Sequence, residues 1–419
     1  MLFRSHKLKI VLKRHRLLTY FLFLLLYFGI IIDNIVGFQM RTTQNESLVS
    51  KLYRLFIFMF VLVIIFLCKQ SGRFFFLFGF SLPVFQMIAS GNIDGFLVNE
   101  LYIAKLLYPI ALIMAGMALI KSQRINLKDV DQYLLNISWI YPLTIIIPYI
   151  FGLGFKAYKA TGFSGFYSAG NEISVILGVC FIIHINSMFE RITIKSVFGV
   201  LLATISTILT GTKAGIVIIC LATIYYFVRL VWGNKNQIIK MCYFIVIIAI
   251  LLVFANFVFK MLQHEISASI EMFQYKFRQL NYNVVDFIFS KRNTKIAPNF
   301  ERLREEPWSL FIGNGYYGQV VLNDTRKGIA SAGLIEMDFF DILFQYGVIM
   351  AVSIWTSYLK GIIKYRNSFR NQYTFAGGMM LLYSFMAGHT LYSAHTGTVL
   401  AILIIGGVLA HNNVEANKG

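Results

Sequence analysis

Acidic side chains are scarce in this sequence. Its 419 residues include 19 Asp and Glu against 38 Lys and Arg, for a net charge of +19. Charged residues of both signs make up 14%, where a soluble domain carries about 25%. With 58% hydrophobic residues, against about 45–50% in soluble domains, this excludes an ordinary water-soluble fold. Cysteine is also rare. Cys68, Cys180, Cys220 and Cys242 all lie in apolar runs without metal-ligand spacing, so neither a disulfide framework nor a cysteine metal site is expected, and they read as small buried hydrophobes. No internal repeat of the transporter kind is visible. The basic excess fits lysine and arginine bias at a membrane surface and anionic headgroups rather than nucleic acid.

What the chain has in abundance is long apolar runs, rich in phenylalanine, which numbers 40. They predict an all-α integral membrane protein of about twelve spans: 17–32, 55–68, 74–90, 101–120, 133–152, 173–189, 196–209, 214–232, 238–259, 339–358, 373–390 and 396–410. The basic segment Arg4–Arg16 precedes the first run, and no small-residue cleavage site follows it, so it is expected to stay as a helix. Residues 33–54 read as a polar connection. Pro142 and Pro148 in the fifth span are tolerable kinks in lipid. Basic turns after spans two, four, six, eight and ten fall on one side, which places both termini in the cytoplasm. One domain is expected over 1–419. Within it, residues 260–338 form a large extracytoplasmic loop between spans nine and ten, with an amphipathic stretch at Ile266–Leu280.

The chemistry-bearing residues cluster around that loop. The stretch from Ser331 to Gly347 carries Glu336, Asp338 and Asp341, a dense group for so acid-poor a chain. On a helix Asp338, Asp341 and Gln345 share one face, opposite Phe339, Phe340, Leu343 and Phe344. Carboxylates at the mouth of a membrane helix are costly unless paired or wet, which makes them functional candidates. The plainer reading is that they cap a helix N-terminus, where acids are favoured. The turn Thr210-Gly211-Thr212-Lys213-Ala214-Gly215 puts a lysine at a helix start, suited either to a phosphate or to snorkelling at an interface. Ser290-Lys291-Arg292 with Lys295 forms a second basic cluster, and Gly313-Asn314-Gly315-Tyr316 is a glycine-rich turn. His389 and His395 bracket the short turn between the last two spans, near enough to share a site. A zinc site there would lack a third histidine or cysteine nearby in sequence.

Taken in order, these pieces resemble the O-antigen ligase and Wzy-type polysaccharide polymerase superfamily. Thr210–Gly215 is similar to that family's Thr-Gly-Ser/Thr-Arg-Ala-Gly turn, with Lys213 in place of arginine. Phe289-Ser290-Lys291-Arg292 resembles its Ser-Gly-Arg element, Phe311–Tyr316 its Gly-x-Gly segment, and Tyr167–Glu172 the polar element before a central helix. Glu336-Met337-Asp338-Phe339-Phe340-Asp341 leads to Gly347 as in polymerase-type members, and stands where ligase-type members carry a His-Asn pair. The resemblance covers roughly residues 160–410.

The resemblance implies a GT-C-like membrane glycosyltransferase of the bacterial cytoplasmic membrane, inverting and independent of metal or other cofactor. It would transfer a growing glycan from undecaprenyl diphosphate to the next lipid-linked repeat unit on the outer face. Expected partners are undecaprenyl-diphosphate-linked oligosaccharide, membrane lipids, a chain-length regulator and a flippase, with no nucleic acid. Lys213 and Arg292, beside Thr212 and Lys291, would cradle the diphosphate. Asp338, Glu336 or Asp341 would supply the base, with Asp338 first and His389 or His395 assisting. Asn171, Glu172, Asn314 and Tyr316 would contact substrate. The alternatives are an O-antigen or teichoic-type ligase and, from another class, a multi-pass transporter.

Overall fold

A computed structural model describes residues 2–43, 48–68, 70, 72–156, 162–231, 263, 266–325, 334–363 and 372–416. Among these the secondary structure is helical, apart from one isolated antiparallel bridge between Lys156 and Phe163. The first eight helices are α1 (Leu2–Thr43), α2 (Leu48–Leu67), α3 (Arg73–Ser90), α4 (Phe96–Lys121), α5 (Leu127–Ile150), α6 (Gly170–Glu190), α7 (Ile194–Thr210) and α8 (Lys213–Val231). Shorter helices follow: α9 (residues 266–279), α10 (Val284–Phe289), α11 (Ile296–Glu305), α12 (Ser309–Ile312) and α13 (Gly315–Thr325). The chain closes with α14 (Asp338–Ile363), α15 (Gln372–Ala387) and α16 (Ala394–Ala416).

Nine of the described helices are long and apolar enough to cross a bilayer, which takes about 20 residues at 1.5 Å per residue. The protein is therefore a multi-pass membrane protein. The sequence reading of twelve spans exceeds the nine candidates found among the described residues. Its seventh span is the 17-residue α7 and its eleventh the 16-residue α15, both short for a full crossing. Its ninth, 238–259, lies outside the described residues, as does part of the 260–338 loop. Residues 33–43 continue α1 instead of leaving it. Their polar groups find helix-compatible partners: Asn34 Nδ2 donates to Ile30 O (2.8 Å) and to Tyr167 Oη (2.9 Å), and Ser50 Oγ donates to Asp33.

The chain forms two compact units. Unit 1 comprises Met1–Leu26, Leu52–Val130 and Leu280–Gly419, and unit 2 comprises Tyr27–Lys51 and Asp131–Gln279. In unit 1, α4 and α16 are close neighbours. A side chain at Gly397 would meet the Pro109 ring at 2.4 Å, so glycine is what lets the two backbones approach. Tyr108 Oη and Thr398 Oγ1 hydrogen-bond across the same seam at 3.1 Å. In unit 2, α6 packs between α7 and α8 and is almost wholly buried. Its His184 lies against the backbone of Gly199, with Nε2 3.3 Å from Ser138 O and the ring edge-on to Trp139. That makes it a packing residue.

Candidate functional site in unit 1

The loop between Leu280 and Thr325 docks on α14 through an apolar patch. Leu303, Ile335, Met337 and Phe344 are buried together, with Phe289, Ile296 and Phe340 against them. This patch fixes Arg292, which opens a short 3-10 turn, Arg292–Lys295. Ser290 and Lys291 before it both adopt left-handed backbone, at φ 53° and 63°. A side chain disfavours that conformation by roughly 1–2 kcal/mol. It is held by Lys291 N donating to Asp286 O (2.9 Å) and Asn293 Nδ2 to Asp286 Oδ1 (2.8 Å).

Arg292 meets Glu336. Its Nε and Nη2 both donate to Glu336 Oε2, at 3.1 and 2.6 Å. The arginine side chain is 11% exposed and the glutamate 42%, so the carboxylate faces an open side. Burial pushes the Glu336 carboxyl up, but the Arg292 guanidinium, helped by His389 and Lys295, outweighs it and leaves the carboxyl below its usual value of 4.5. Lys295 Nζ donates to Leu334 O at 2.8 Å, one turn of chain before Glu336. Glu336 is itself left-handed, at φ 65°.

Two buried aspartates hold that geometry. Asp338 and Asp341 sit in the first turn of α14, and both are 0% exposed. Asp341 Oδ1 accepts Ile335 N (2.9 Å) and Gln319 Nε2 (3.2 Å), and Oδ2 accepts Glu336 N (2.8 Å) and Met337 N (3.2 Å). Asp338 takes Ser384 Oγ (2.5 Å), His389 N (2.5 Å) and Leu391 N (2.9 Å). It thereby ties α14 to the turn between α15 and α16. Gly388 in that turn lies against the Glu336 backbone: a Cβ there would meet Glu336 O at 2.0 Å. His389 follows in left-handed backbone, at φ 65°.

The shared face expected of Asp338, Asp341 and Gln345 is present. What it meets is a buried polar chain rather than an open cavity. Tyr392 Oη donates to Gln345 Oε1 (3.0 Å), Gln345 Nε2 to Gln319 Oε1 (2.8 Å), and Gln319 on to Asp341. At Gly347 α14 is interrupted, with φ 78° and ψ 172°. The break lets the backbone of Gly313 come up against Gln345, and Asn314 N donates to Phe344 O (2.9 Å). Gln86 Nε2 satisfies both Ile312 O (2.7 Å) and the freed Gln345 O (2.8 Å).

The structure thus gathers Arg292, Glu336, Asp338, Asp341 and His389. Asp338 is wholly buried and accepts hydrogen bonds from three protein donors. The accessible carboxylate is Glu336. Lys291 is exposed beside the cluster. His395 is the second residue of α16, six residues after His389. Tyr316 stacks on Tyr102 with ring centroids 3.4 Å apart, and its neighbour Tyr317 lines a cavity with Asn314 instead. In unit 2, Lys213 is the first residue of α8, as its turn implied, with Nζ 6.0 Å from the Phe273 ring. Thr212 is buried, and its Oγ1 has no hydrogen-bond partner among the described residues. Asn171 and Glu172 lie in the first turn of α6, whose Ser174 packs against Gly215 of α8. Sequence reasoning missed Gln86, Asn99, Gln319 and Ser384. An isolated buried amide or hydroxyl leaves no spacing signal. Among the described residues no group of three His, Cys, Asp or Glu gathers as metal ligands do.

No protein-family model, curated protein or solved structure matches this chain. Fold and site define a multi-pass helical membrane protein with an arginine–glutamate pair held at the head of a broken span.

Proposed function

We propose that this protein polymerises lipid-linked oligosaccharide repeat units on the extracytoplasmic face of a bacterial cytoplasmic membrane, for a capsule, exopolysaccharide or O-antigen. The supporting observation is the Arg292–Glu336 pair, a cation and an accessible carboxylate locked together by backbone clamps. The ordered motifs of the sequence support the same reading.

Each member of the pair fits one demand of inverting glycosyl transfer. The acceptor hydroxyl must lose a proton as it attacks the anomeric carbon. The bond from that carbon to the diphosphate oxygen then breaks, and its electron pair leaves with the undecaprenyl diphosphate. Glu336 takes the proton and becomes a neutral acid. Arg292, with its planar fork, holds the departing diphosphate, and Lys295 adds charge nearby. Without substrate, Arg292 keeps Glu336 a weak base. A diphosphate arriving on Arg292 takes over that charge, frees the carboxylate and strengthens it as a base. Asp338 and Asp341 are positioning residues: Asp341 sets the backbone of 335–337, and Asp338 sets the turn that carries His389. Lys213 and Thr212 belong to unit 2.

The test uses full-length protein in detergent with undecaprenyl-diphosphate-linked repeat units and no transmembrane gradient. Wild type yields a ladder of lengthened glycans. Glu336→Gln slows it by at least about 10²-fold, the lower end of a general base's contribution, and Arg292→Ala abolishes it at normal protein levels. A ladder from both variants equal to wild type refutes the assignment. Absence of any ladder from wild type, with substrate moving only across sealed membranes, points to a transporter instead.

A further inference from the structure

The helices of unit 1 set the depth of the Arg292–Glu336 turn. α4 and α16 run parallel, with Gly397 against Pro109 and Ile405 against Gly116. Thr398 pairs with Tyr108, twelve residues past the head of α4 at Phe96. At 1.5 Å per residue that is roughly 18 Å along the helix. α16 begins at Ala394, four residues before Thr398, so its head lies about 12 Å along α4 from Phe96. The whole of α4 is about 39 Å long, and a hydrocarbon core takes about 30 Å of it. At most about 9 Å of α4 projects beyond the core at this end. The turn before α16 holds Asp338 and backs onto Glu336. It therefore lies at the headgroup–acyl boundary, not above the membrane.

α10 reaches the same level, since Arg292 follows three residues after its last residue, Phe289. On this helix Val284, Val285 and Ile288 share one face, within about 100° of arc, and Asp286 lies on the other side. The three aliphatic side chains are 57%, 54% and 49% exposed. Asp286 is turned inward, where its Oδ1 accepts Asn293 Nδ2 at 2.8 Å. Phe289 packs on the buried patch of Leu303, Ile335, Met337 and Phe344, as Phe340 does. The Phe340 ring is 6.4 Å from that of Phe385, which is 42% exposed near the end of α15. An apolar path thus joins the α10 face to the exposed side of α15. Lys291, also exposed, follows the face in sequence.

Three aliphatic side chains grouped on one open face are costly in water and favourable in lipid. An apolar face with a lysine beside it is how interfacial segments lie in a bilayer. We infer that Val284, Val285 and Ile288 dip into the bilayer. This membrane contact seats α10 and the Arg292–Glu336 turn at the headgroup–acyl boundary, with Arg292 at the level of lipid phosphates. The inference rests on the depth of the turn and the exposed face, and not on the proposed glycan chemistry.

The test is spin-label accessibility on full-length protein, in a cysteine-free background, in lipid nanodiscs. Labels go on Val285→Cys and Ile288→Cys, with Val284→Cys in reserve should either fail to fold. Val352→Cys, exposed on α14, is the lipid reference, and Glu301→Cys, exposed on α11, is the water reference. Collisions with oxygen, which enters lipid, are compared with collisions with a water-soluble nickel chelate. Both α10 labels should be reached mainly by oxygen, at a depth of about 5–10 Å into the headgroup–acyl boundary. The Glu301→Cys label should be reached mainly by nickel. Nickel-dominated collisions at either α10 position mean a face in water and overturn the contact. Shielding from both reagents at either position means that a protein partner or a second copy covers the face, and overturns it as well. No substrate is present, so the readout is independent of polymer formation. A failed ladder with oxygen-dominated labels rejects the polymerase reading and keeps the membrane contact, and the reverse pattern does the opposite.

Discussion

Asp341→Asn is the sharpest test of how the site is held. The substitution keeps size and shape but replaces one acceptor oxygen with an NH₂ donor. In the native protein one oxygen serves Ile335 N and Gln319 Nε2, and the other serves Glu336 N and Met337 N. Whichever way the asparagine amide turns, two donors then face a donor. A buried donor left unsatisfied costs about 1–3 kcal/mol, so the segment loses roughly 2–6 kcal/mol of local stability. At 1.4 kcal/mol per tenfold, its opening equilibrium rises by about 30-fold to 10⁴-fold. Hydrogen exchange read by mass spectrometry on a peptide spanning residues 334–341 measures this directly, since amide protection reports local opening. Gln319→Met is the graded control. It removes one of the four donors and leaves the backbone bonds intact, so its effect should stay within about tenfold. Wild-type exchange in Asp341→Asn would show that the carboxylate does not hold the 335–337 backbone, and the positioning argument would fall with it.

Three further outcomes follow from the same geometry. Gly388→Ala puts a methyl 2.0 Å from Glu336 O at φ 56°, so it should lower the thermal midpoint by several degrees and, through Glu336, slow polymerisation more than an equally destabilising change in α2 would; an unchanged midpoint contradicts the packing. The Glu336 carboxyl lies below 4.5 in the folded protein, so the stability it adds is present above the unfolded carboxylate value of about 4.5 and is lost only as pH falls through the lower folded value. The stability difference between wild type and Glu336→Gln should therefore be flat from about pH 5 to 8 and shrink below 4.5, and a difference already shrinking at pH 6 refutes the pairing. For topology, in a cysteine-free background Glu301→Cys should react with an impermeant thiol reagent in intact cells and Gln123→Cys, between α4 and α5, should not; the opposite pattern inverts the orientation.

The membrane character was legible because lipid demands long apolar helices, a signal that survives without tertiary context. The boundaries were less so. Asp33 and Asn34 look like the end of a span in sequence, yet side-chain partners allow α1 to run through them. The acidic cluster and Arg292 were recognisable by their rarity and order. The different surroundings of the three carboxylates were not. They depend on which backbone amides each one meets, and residues as remote as Ser384 and Leu391 decide that for Asp338. The cavity left even less trace, since its walls come from α3, α4 and a loop more than two hundred residues later, as the bond from Gln86 to Ile312 shows.

The pairing of α4 with α16 has a consequence for how the protein is made. Tyr108 and Thr398 are 290 positions apart. At about 5–20 residues per second, translation takes roughly 15–60 s to supply the second partner after the first has emerged. Until then the α4 surface that receives Gly397 has only lipid, or an insertion factor, against it. Unit 1 therefore cannot close around this seam before the last described helix is delivered. Any early stop that removes α16 strands α4 in the bilayer with its closest neighbour missing, and quality-control proteases would meet such a chain as an unfinished one.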